Sequence, residues 1–204
     1  MENPRSTTDR PSVDIAYDQG FITIYRALDT ALCRAIIDRF DQDAGKRRGR
    51  IGRLAESFST EVETKNSWDL GIDDEGPWQD VFAQIHPKIQ ACVTHYVSRS
   101  PVLESFDLQM TGYKIQMYPQ NEGYFRWHAD SVGHNARDRV AALVLYLNDV
   151  DRGGDTEFFH QGVRVAPKAG HLAMFPTGWN FMHCGHVPES GHKYIIQAFV
   201  KLKS

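Results

Sequence analysis

The sequence predicts a mainly β fold with flanking helices (an α+β arrangement), whose core is a jelly roll of two packed sheets. From about residue 105 onward, short runs rich in β-forming residues alternate with Gly, Asn, Asp and Pro. Two segments with helical spacing of apolar residues precede them, which favours sheets braced by helices along one side. The eight expected strands lie near residues 108–118, 123–130, 139–148, 156–160, 162–165, 170–175, 181–184 and 193–201.

Two amphipathic segments carry the expected helices. Residues 31–40 place apolar side chains at helical spacing, and Asp29 or Thr30 can cap the start of this helix. Residues 77–97 indicate a longer helix, which Pro87 should kink or divide because proline lacks an amide hydrogen.

The domain organisation follows from the same change in residue pattern along the chain. The polar residues 1–18 are expected to form a mobile tail, and residues 19–204 a single domain. Within that domain, residues from about 27 to 100 provide helical support, and residues from about 105 to 202 form the jelly-roll core.

Composition narrows the class of protein. A net charge of −3 argues against a nucleic-acid partner. Cys33, Cys92 and Cys184 are odd in number and widely spaced, which argues against a disulfide framework and suits a reducing cytosol. The longest apolar run, residues 140–147, is too short to span a bilayer, and residues 1–10 lack the apolar core of a signal peptide. We expect a soluble cytoplasmic protein with no membrane partner, and the sequence does not indicate its oligomeric state.

Residues 45–53 form a glycine-rich basic segment with five cationic side chains. A solvated flexible loop is one interpretation, because charge runs often only solvate a surface. A mobile lid, or a patch for an anionic substrate or nucleic acid, is the other. No aromatic residue is interleaved with the basic ones, which weakens the nucleic-acid version.

A histidine and a carboxylate two residues apart, His128 and Asp130, lie on one expected strand and therefore share a face. His183 follows 53 residues after Asp130, and Lys193 follows ten residues after His183. Two histidines and one carboxylate leave about three positions open on an octahedral metal, as in the facial triad of non-haem Fe(II) oxygenases.

Strand parity predicts a polar pocket around this pattern. If His128 and Asp130 face inward, Arg126 should do so as well. On the preceding run, Gln116 and Tyr118 share a face, which makes sense if the barrel holds a polar ligand.

Two polar groups stand out in otherwise apolar strands. Tyr146 lies in a strand that should be buried on both faces. Lys193 begins the apolar final strand, where a lysine is costly unless it is paired. Its expected partner is the carboxylate of a ligand, with Glu189 as the alternative.

Over residues 113–200, the chain resembles the Fe(II)- and 2-oxoglutarate-dependent dioxygenases, specifically the prolyl 4-hydroxylase-like branch. The resemblance rests on four ordered pieces. They are YPQNEGYFRWHAD at 118–130, RVAALVLYLND running into GGDTEF at 139–158, PKAGHLAMFP at 167–176 and HCGHVPESGHKY at 183–194. The usual His-x-Gly-x-Pro-Val reads here as HCGHVP, with Val and Pro exchanged, and the helical N-terminal third shows no such resemblance.

The resemblance implies a double-stranded β-helix in which His128, Asp130 and His183 bind Fe(II) and carry catalysis. Halogenating relatives lack the carboxylate that Asp130 supplies here, so the resemblance favours hydroxylation. The implied reaction consumes O2 and 2-oxoglutarate and releases succinate and CO2, and it allows ascorbate as a reductant.

The same resemblance assigns the 2-oxoglutarate site. Lys193 would pair with the distal carboxylate of this cosubstrate, helped by the Tyr146 hydroxyl. Tyr118 matches a tyrosine that lines the cosubstrate pocket in related enzymes. Gly153 and Gly154 would form the tight turn before the next strand.

Several alternatives stay open from the sequence alone. His186 and His192 compete with His183 as the third ligand. A non-enzymatic cupin-like binding or sensor module would retain the fold without needing all these groups. A zinc hydrolase on the same ligands would need a general base beside the metal, for which Glu122 or Glu157 could be proposed.

The substrate is the least specified part of the prediction. The resemblance suggests a peptidyl or prolyl residue, and the absence of a second domain favours a small molecule or short segment. The candidate substrate contacts are Arg126, Gln116 and Trp127, with Gln197 beside them.

Overall fold

A computed structural model describes residues 12–52, 58–59 and 63–203 of the chain. Its helices are α1 (Thr30–Gln42), α2 (Gln79–Ser98) and α3 (Pro101–Glu104). The strands are β1 (Ile15–Gln19), β2 (Ile22–Arg26), β3 (Arg47–Arg48), β4 (Ile51–Gly52), β5 (Phe58–Ser59), β6 (Lys65–Asn66), β7 (Trp68–Ile72), β8 (Leu108–Met110), β9 (Tyr113–Tyr118), β10 (Tyr124–His128), β11 (Arg139–Tyr146), β12 (Thr156–Phe158), β13 (Val163–Val165), β14 (His171–Pro176), β15 (His183–Gly185) and β16 (Lys193–Leu202).

Two antiparallel sheets make up the body of the fold. The major sheet has the order β1-β2-β14-β11-β16-β9-β7-β3, with β8 also paired to β16. The minor sheet has the order β13-β12-β15-β10-β6, and β4 pairs with β5 separately. Most neighbouring strands are distant in sequence, as a jelly roll requires, and the predicted mainly β fold with flanking helices is confirmed.

Strand β11 shows how the core is divided. Ala141, Leu143 and Leu145 pack into the cluster beneath the helices. Ala142, Val144 and Tyr146 pack into a second cluster, to which the minor sheet contributes Phe158 and Val165. Because successive side chains of a strand point to opposite faces, an almost continuously apolar strand is buried on both sides.

The two long helices cover one face of the major sheet. Asp29 caps α1 by accepting a hydrogen bond from the Leu32 amide at 2.8 Å, as one of the two predicted caps. α2 buries a stripe at helical spacing that includes Val81, Ile85 and Ile89. It runs unbroken through Pro87, so the expected division of this segment is wrong, and the alternative of a kink stays a prediction.

The N-terminal half differs from its prediction in two further respects. Residues 15–18, expected in the mobile tail, belong to β1 and pair with β2, while residues 1–11 lie outside the described part of the chain. The expected helical support also contains strands β3 to β7. That the whole chain forms a single domain stays a prediction.

The basic segment at residues 45–53 contains two short strands within its described part, residues 45–52. Arg47–Arg48 form β3, which pairs with β7 at the edge of the major sheet, and Ile51–Gly52 form β4. Residue 53 lies outside the described residues. Across the described ranges, none of the helices combines the length and apolar character that crossing a bilayer would require.

Candidate metal centre

Three side chains from the end of β10 and the start of β15 converge on one point. β10 and β15 are adjacent strands in which His128 pairs with His183, and Asp130 lies in the turn just after β10. His128 Nε2 lies 3.6 Å from Asp130 Oδ1, and His183 Nε2 lies 3.6 Å from Asp130 Oδ2. One ligand atom from each residue lies within 4.8 Å of the other two, close enough to share a metal ion.

Backbone carbonyls fix the orientation of both imidazoles. His128 Nδ1 lies 2.7 Å from the Arg126 carbonyl oxygen, and His183 Nδ1 lies 2.9 Å from the Phe181 carbonyl oxygen. A carbonyl oxygen can only accept, so each Nδ1 donates and each Nε2 keeps its lone pair. Such hydrogen bonds behind the ligands are what set the tautomer of metal-binding histidines.

Two of the converging atoms are buried without a hydrogen-bond partner among the described residues, His128 Nε2 and Asp130 Oδ2. Leaving a polar atom buried and unsatisfied costs about 1–3 kcal/mol, so such atoms call for an explanation. A bound cation would satisfy both of them. The donor set of two imidazoles and one carboxylate suits a divalent transition metal with positions left open for other ligands.

The protonation states also suit a cation. Burial, with a smaller contribution from His128, lowers the pKa of His183 to about 4, so its ring is neutral at neutral pH. Burial raises the pKa of the Asp130 carboxyl, but the adjacent His183 and His128 outweigh that effect and the net pKa is lowered. An ionised carboxylate therefore faces the lone pair of His183.

Aromatic packing holds the two histidine rings in place. The His128 ring stacks on Phe125, with centroids 3.6 Å apart. The His183 ring contacts Phe175 edge to face at 4.8 Å and lies 5.5 Å from Phe158. These contacts limit rotation of the ligands, which pre-organises the site.

An irregularity in β10 overturns the parity prediction for the pocket. The β10–β15 register shifts between Phe125 and His128, which is the signature of a bulge. Phe125 consequently shares the inner face with His128, three residues later, whereas Arg126 is exposed and its Nε donates to the Glu63 carbonyl at 2.5 Å. Trp127 is 43% exposed.

The predicted substrate contacts therefore divide. Arg126 and Trp127 line a surface groove with His186 and Val187, so the expected inward orientation of Arg126 is wrong, and the role of both residues as substrate contacts stays a prediction. Gln116 does face inward, where it accepts a hydrogen bond from the Tyr118 hydroxyl at 2.8 Å and donates to Gln197 Oε1 at 2.9 Å.

A cavity of about 230 Å³ opens directly beside the metal-ligand cluster and is lined by His128, Asp130 and Gln197. Phe125 and Phe199 give it apolar walls. Its other lining side chains include four cations, Arg50, Lys65, Lys114 and Arg139. The sequence analysis did not single out Arg139, although a charged residue at the start of a strand buried on both faces was a usable signal.

Lys193 is buried beside this centre. Its Nζ donates to the Gly154 carbonyl at 2.6 Å and lies 5.6 Å from the Tyr118 ring centroid and 5.5 Å from that of Tyr146. Burial lowers the pKa of Lys193 to about 8. Within the described chain, the structure records no carboxylate in ion-pair contact with this ammonium group, Glu189 included.

Gly185 links Lys193 to the metal-ligand strand. It lies two residues after His183 and therefore on the same face of β15. A Cβ at Gly185 would lie 3.9 Å from Lys193 Nζ. The ammonium group and the His183 imidazole thus border the same interior space.

The Tyr146 hydroxyl is already engaged. It donates to Thr156 Oγ1 at 2.8 Å, in a fully buried contact. This arrangement leaves the hydroxyl hydrogen of Thr156 available to an acceptor. Sequence reasoning overlooked Thr156, which has no distinguishing neighbour pattern.

The rival histidines belong to other networks. His186 Nε2 lies 2.6 Å from Glu157 Oε2, and Arg164 Nη2 lies 2.6 Å from the same oxygen. Glu157, Cys184 and His186 could together hold a metal, but the carboxylate of this cluster is already neutralised by Arg164. His192 Nδ1 accepts a hydrogen bond from the Gln120 amide at 2.8 Å.

Comparison with protein families and curated proteins gives one match. A sequence model of the 2OG-Fe(II) oxygenase superfamily matches residues 113–201. These residues contain the three converging side chains, Lys193, Tyr118 and Tyr146. No curated protein matches the sequence.

Three solved structures share the fold. A viral collagen prolyl hydroxylase from Paramecium Bursaria Chlorella virus-1, in its 2OG complex, is 16% identical, with 90% of this chain and 97% of that chain covered at a TM-score of 0.65. A Pseudomonas putida prolyl-4-hydroxylase is 17% identical, with 90% of this chain and 94% of that chain covered at a TM-score of 0.66. A Trichoplax adhaerens prolyl hydroxylase, in complex with a hypoxia inducible factor oxygen degradation domain peptide fragment, is 17% identical. The match covers 89% of this chain and 83% of that chain at a TM-score of 0.69.

Proposed function

We propose that this chain, whose residues 113–201 match the sequence model of the 2OG-Fe(II) oxygenase superfamily, is a member of that superfamily and hydroxylates an unactivated C–H bond of a small molecule or of a prolyl or other peptidyl residue. As a 2-oxoglutarate-dependent oxygenase, it requires Fe(II), 2-oxoglutarate and O2. We also propose that the reaction releases succinate and CO2, that ascorbate can serve as its reductant and that the protein is cytoplasmic.

The observation that carries the proposal is the pair of orphaned buried atoms, His128 Nε2 and Asp130 Oδ2, facing His183. We assign Fe(II) to these three residues. When bound, Fe(II) together with 2-oxoglutarate and O2 supplies the oxidising power for C–H hydroxylation. Asp130 would take a coordination position that a halogenating site would leave for halide, which would favour hydroxylation.

The chain's own residues would bind 2-oxoglutarate next to this centre. A buried ammonium group without a carboxylate partner is costly, and the distal carboxylate of 2-oxoglutarate would pair with Lys193. Thr156 is placed to donate a second hydrogen bond, because the Tyr146 hydroxyl holds its oxygen as an acceptor. The rings of Tyr118 and Tyr146 would exclude water from this ion pair.

Two alternative functions fit the site less well. A general base for a zinc hydrolase would have to lie beside the metal ligands, but Glu157 is held by His186 and Arg164 on the other face of its strand. A binding or sensor module would have no need of a metal-ligand cluster and a buried lysine together.

A turnover assay tests the proposal. We expect the purified protein to convert 2-oxoglutarate to succinate only when both Fe(II) and O2 are present. Asp130→Ala removes a charged ligand and should lower this rate by at least about 100-fold, since losing about 3 kcal/mol of stabilisation has that effect. Succinate and bound iron are the two quantities to measure.

Asp74→Ala serves as the matched control, because Asp74 is an exposed carboxylate outside the site. It should retain wild-type iron content and turnover. A wild-type protein that binds no iron, or that consumes no 2-oxoglutarate in the presence of Fe(II) and O2, would contradict the proposal.

A further inference from the structure

The cavity beside the metal ligands has an excess of positive charge. Lys114 and Arg139 are set against Asp130, the one carboxylate among the described residues that line the cavity. Lys65 is paired with Asp69 at 3.0 Å, and this buried pair adds no net charge wherever its proton resides. Leaving aside Arg50, which has interactions of its own, the described lining residues therefore have one more cation than carboxylates.

Loading the site does not remove this excess. Fe(II) carries two positive charges and 2-oxoglutarate two negative ones, so together they leave the balance unchanged. Charges in a cavity with low-dielectric walls are screened less than charges on a surface, and the field there concentrates ions of the opposite sign. The excess positive charge of the cavity therefore favours binding of a further anionic group.

Arg139 is the best placed of these cations. Its guanidinium lies 3.8 Å from the Phe199 ring centroid, and Nη1 donates to the Asp130 carbonyl at 3.1 Å. That hydrogen bond uses one of five N–H groups, and in the described chain no carboxylate forms an ion pair with it. The side chain is therefore held against the metal-ligand turn with donors to spare.

Lys114 provides a second cation on the cavity wall. Its side chain is 45% exposed, and Nζ lies 3.8 Å from Asp69 Oδ2, an oxygen that Lys65 approaches at 3.0 Å. Lys65 is the closer partner, so Asp69 neutralises Lys114 only weakly. A ligand anion in the cavity could contact Lys114 and Arg139 together.

We propose that the molecule to be hydroxylated carries an anionic group, a carboxylate or a phosphate, which Arg139 and Lys114 bind in the cavity beside His128 and Asp130. This inference rests on the proposed function. The anionic group anchors the substrate, and the cavity of about 230 Å³ is small enough to favour a compact molecule over a folded protein surface.

Anion binding to the loaded enzyme tests the inference. Protein containing Fe(II) and saturating 2-oxoglutarate is kept without O2, so that Lys193 is already occupied and no turnover takes place. Sodium acetate and sodium phosphate are titrated separately at constant ionic strength, and heat is recorded by isothermal titration calorimetry. We expect saturable binding of at least one of the two, and the stronger binder identifies the group as a carboxylate or a phosphate.

Variants locate the binding site. Arg139→Gln combined with Lys114→Gln should weaken the stronger anion by at least about tenfold, which corresponds to about 1.4 kcal/mol. Lys114→Gln alone changes a half-exposed side chain and should weaken it less, which protects the test against misfolding of the double variant. Arg137→Gln is the matched control, because Arg137 is exposed, and it should bind as the wild type does.

Two results would overturn the inference. One is no saturable binding of either anion up to about 0.1 M, where the Debye length is still about 10 Å. The other is equal binding by the wild type and the folded variants. The succinate assay on the same wild-type preparation separates the two levels: active protein that binds neither anion refutes only this inference, and inactive protein refutes the proposed function.

Discussion

Lys193 places an ammonium group in the interior with the Gly154 carbonyl as its hydrogen-bond acceptor and two tyrosine rings around it. Burial lowers its pKa from 10.5 to about 8, so folding disfavours the protonated form. A lowering of this size corresponds to about 3 kcal/mol against the folded state at neutral pH. The residue thus reduces the stability of the protein without ligand, and an anionic ligand would recover that loss.

Replacing Lys193 by Met tests this opposition between stability and function. The variant removes the charge while keeping a flexible apolar chain of similar length. At pH 7, we expect its free energy of unfolding without ligands to exceed that of the wild type by up to about 3 kcal/mol. We expect 2-oxoglutarate binding to be lost. Urea unfolding and calorimetric titration measure the two effects.

The sign of the pH dependence provides the control. Between pH 8 and 10.5, an unfolded chain holds a proton on Lys193 that the folded protein has released, so wild-type stability rises with pH across this window. Lys193→Met removes that contribution, and the difference between the two proteins should shrink as pH rises. A variant that is less stable at pH 7 and still binds 2-oxoglutarate would refute the assigned role.

Side-chain chemistry made some of these residues predictable and hid others. His128 and Asp130 were candidates from residue type and spacing. His183 was one of three candidate histidines, and the structure brings it beside Asp130. Thr156 was overlooked, because its importance comes from the Tyr146 hydroxyl that donates to it, a contact between the two sheets.

At the scale of elements, the turn at Gly153 and Gly154, just before β12, positions the Lys193 ammonium group through a hydrogen bond. Gly153 and Gly154 have φ angles of +69° and +73°, which confirms the expected tight turn and the need for glycine. A Cβ on Gly153 would also overlap the Val187 carbonyl oxygen. Gly154 supplies the acceptor for Lys193, so displacement of this turn would disturb the ammonium group.

Gly153→Ala and Gly162→Ala form a matched pair that separates these effects. Gly162 has a φ of +62° with no atom within 4 Å of an added Cβ, so its substitution should cost only about 1–2 kcal/mol of backbone strain. Gly153→Ala adds the overlap, which should bring the total to about 3 kcal/mol or more. Thermal unfolding measures both costs.

The affinity for 2-oxoglutarate provides a second comparison between Gly153→Ala and Gly162→Ala. Gly153→Ala should weaken 2-oxoglutarate binding because the turn cannot stay in place, whereas Gly162→Ala should leave it unchanged. Equal destabilisation by the two substitutions would show that the Val187 contact is unimportant.

The β10 bulge shows why the elements were predicted better than the directions of their side chains. Alternation assigns Arg126 to the face of His128, and a single shift of register reverses that assignment. The sequence from Tyr124 to His128 contains no glycine or proline to mark the shift. Arg126 was therefore expected in the pocket, while Phe125 and Arg139 line it.

At the scale of the whole molecule, the order of the strands was predictable only in outline. β11 is almost continuously apolar, which indicated that it is buried on both faces. A strand of this kind belongs to a sheet that has helices on one side and a second sheet on the other. β1 was missed because its residues are largely exposed, and it is held by pairing with β2 rather than by a buried face. Pairing of short exposed strands leaves little trace in hydrophobic periodicity.

Metal binding should stabilise the whole fold, because the ligands lie on two adjacent strands of the minor sheet. A cation that binds only the folded state adds RT ln(1 + [M]/Kd), which is about 2.7 kcal/mol at 100 times the Kd. Removing iron with a chelator should therefore lower the unfolding temperature of the wild type. Readdition of Fe(II) under anaerobic conditions should restore it.

His183→Ala and His186→Ala determine which histidine completes the centre. His183 faces Asp130 Oδ2 with a free lone pair, whereas His186 is bound to Glu157. The unfolding temperature of His183→Ala should not respond to chelator or iron, while His186→Ala should respond as the wild type does. The reverse pattern would move the third ligand to His186. Because unfolding reports on the folded state as a whole, this comparison needs no substrate and no turnover, and it tests the assembly of the centre from separate strands directly.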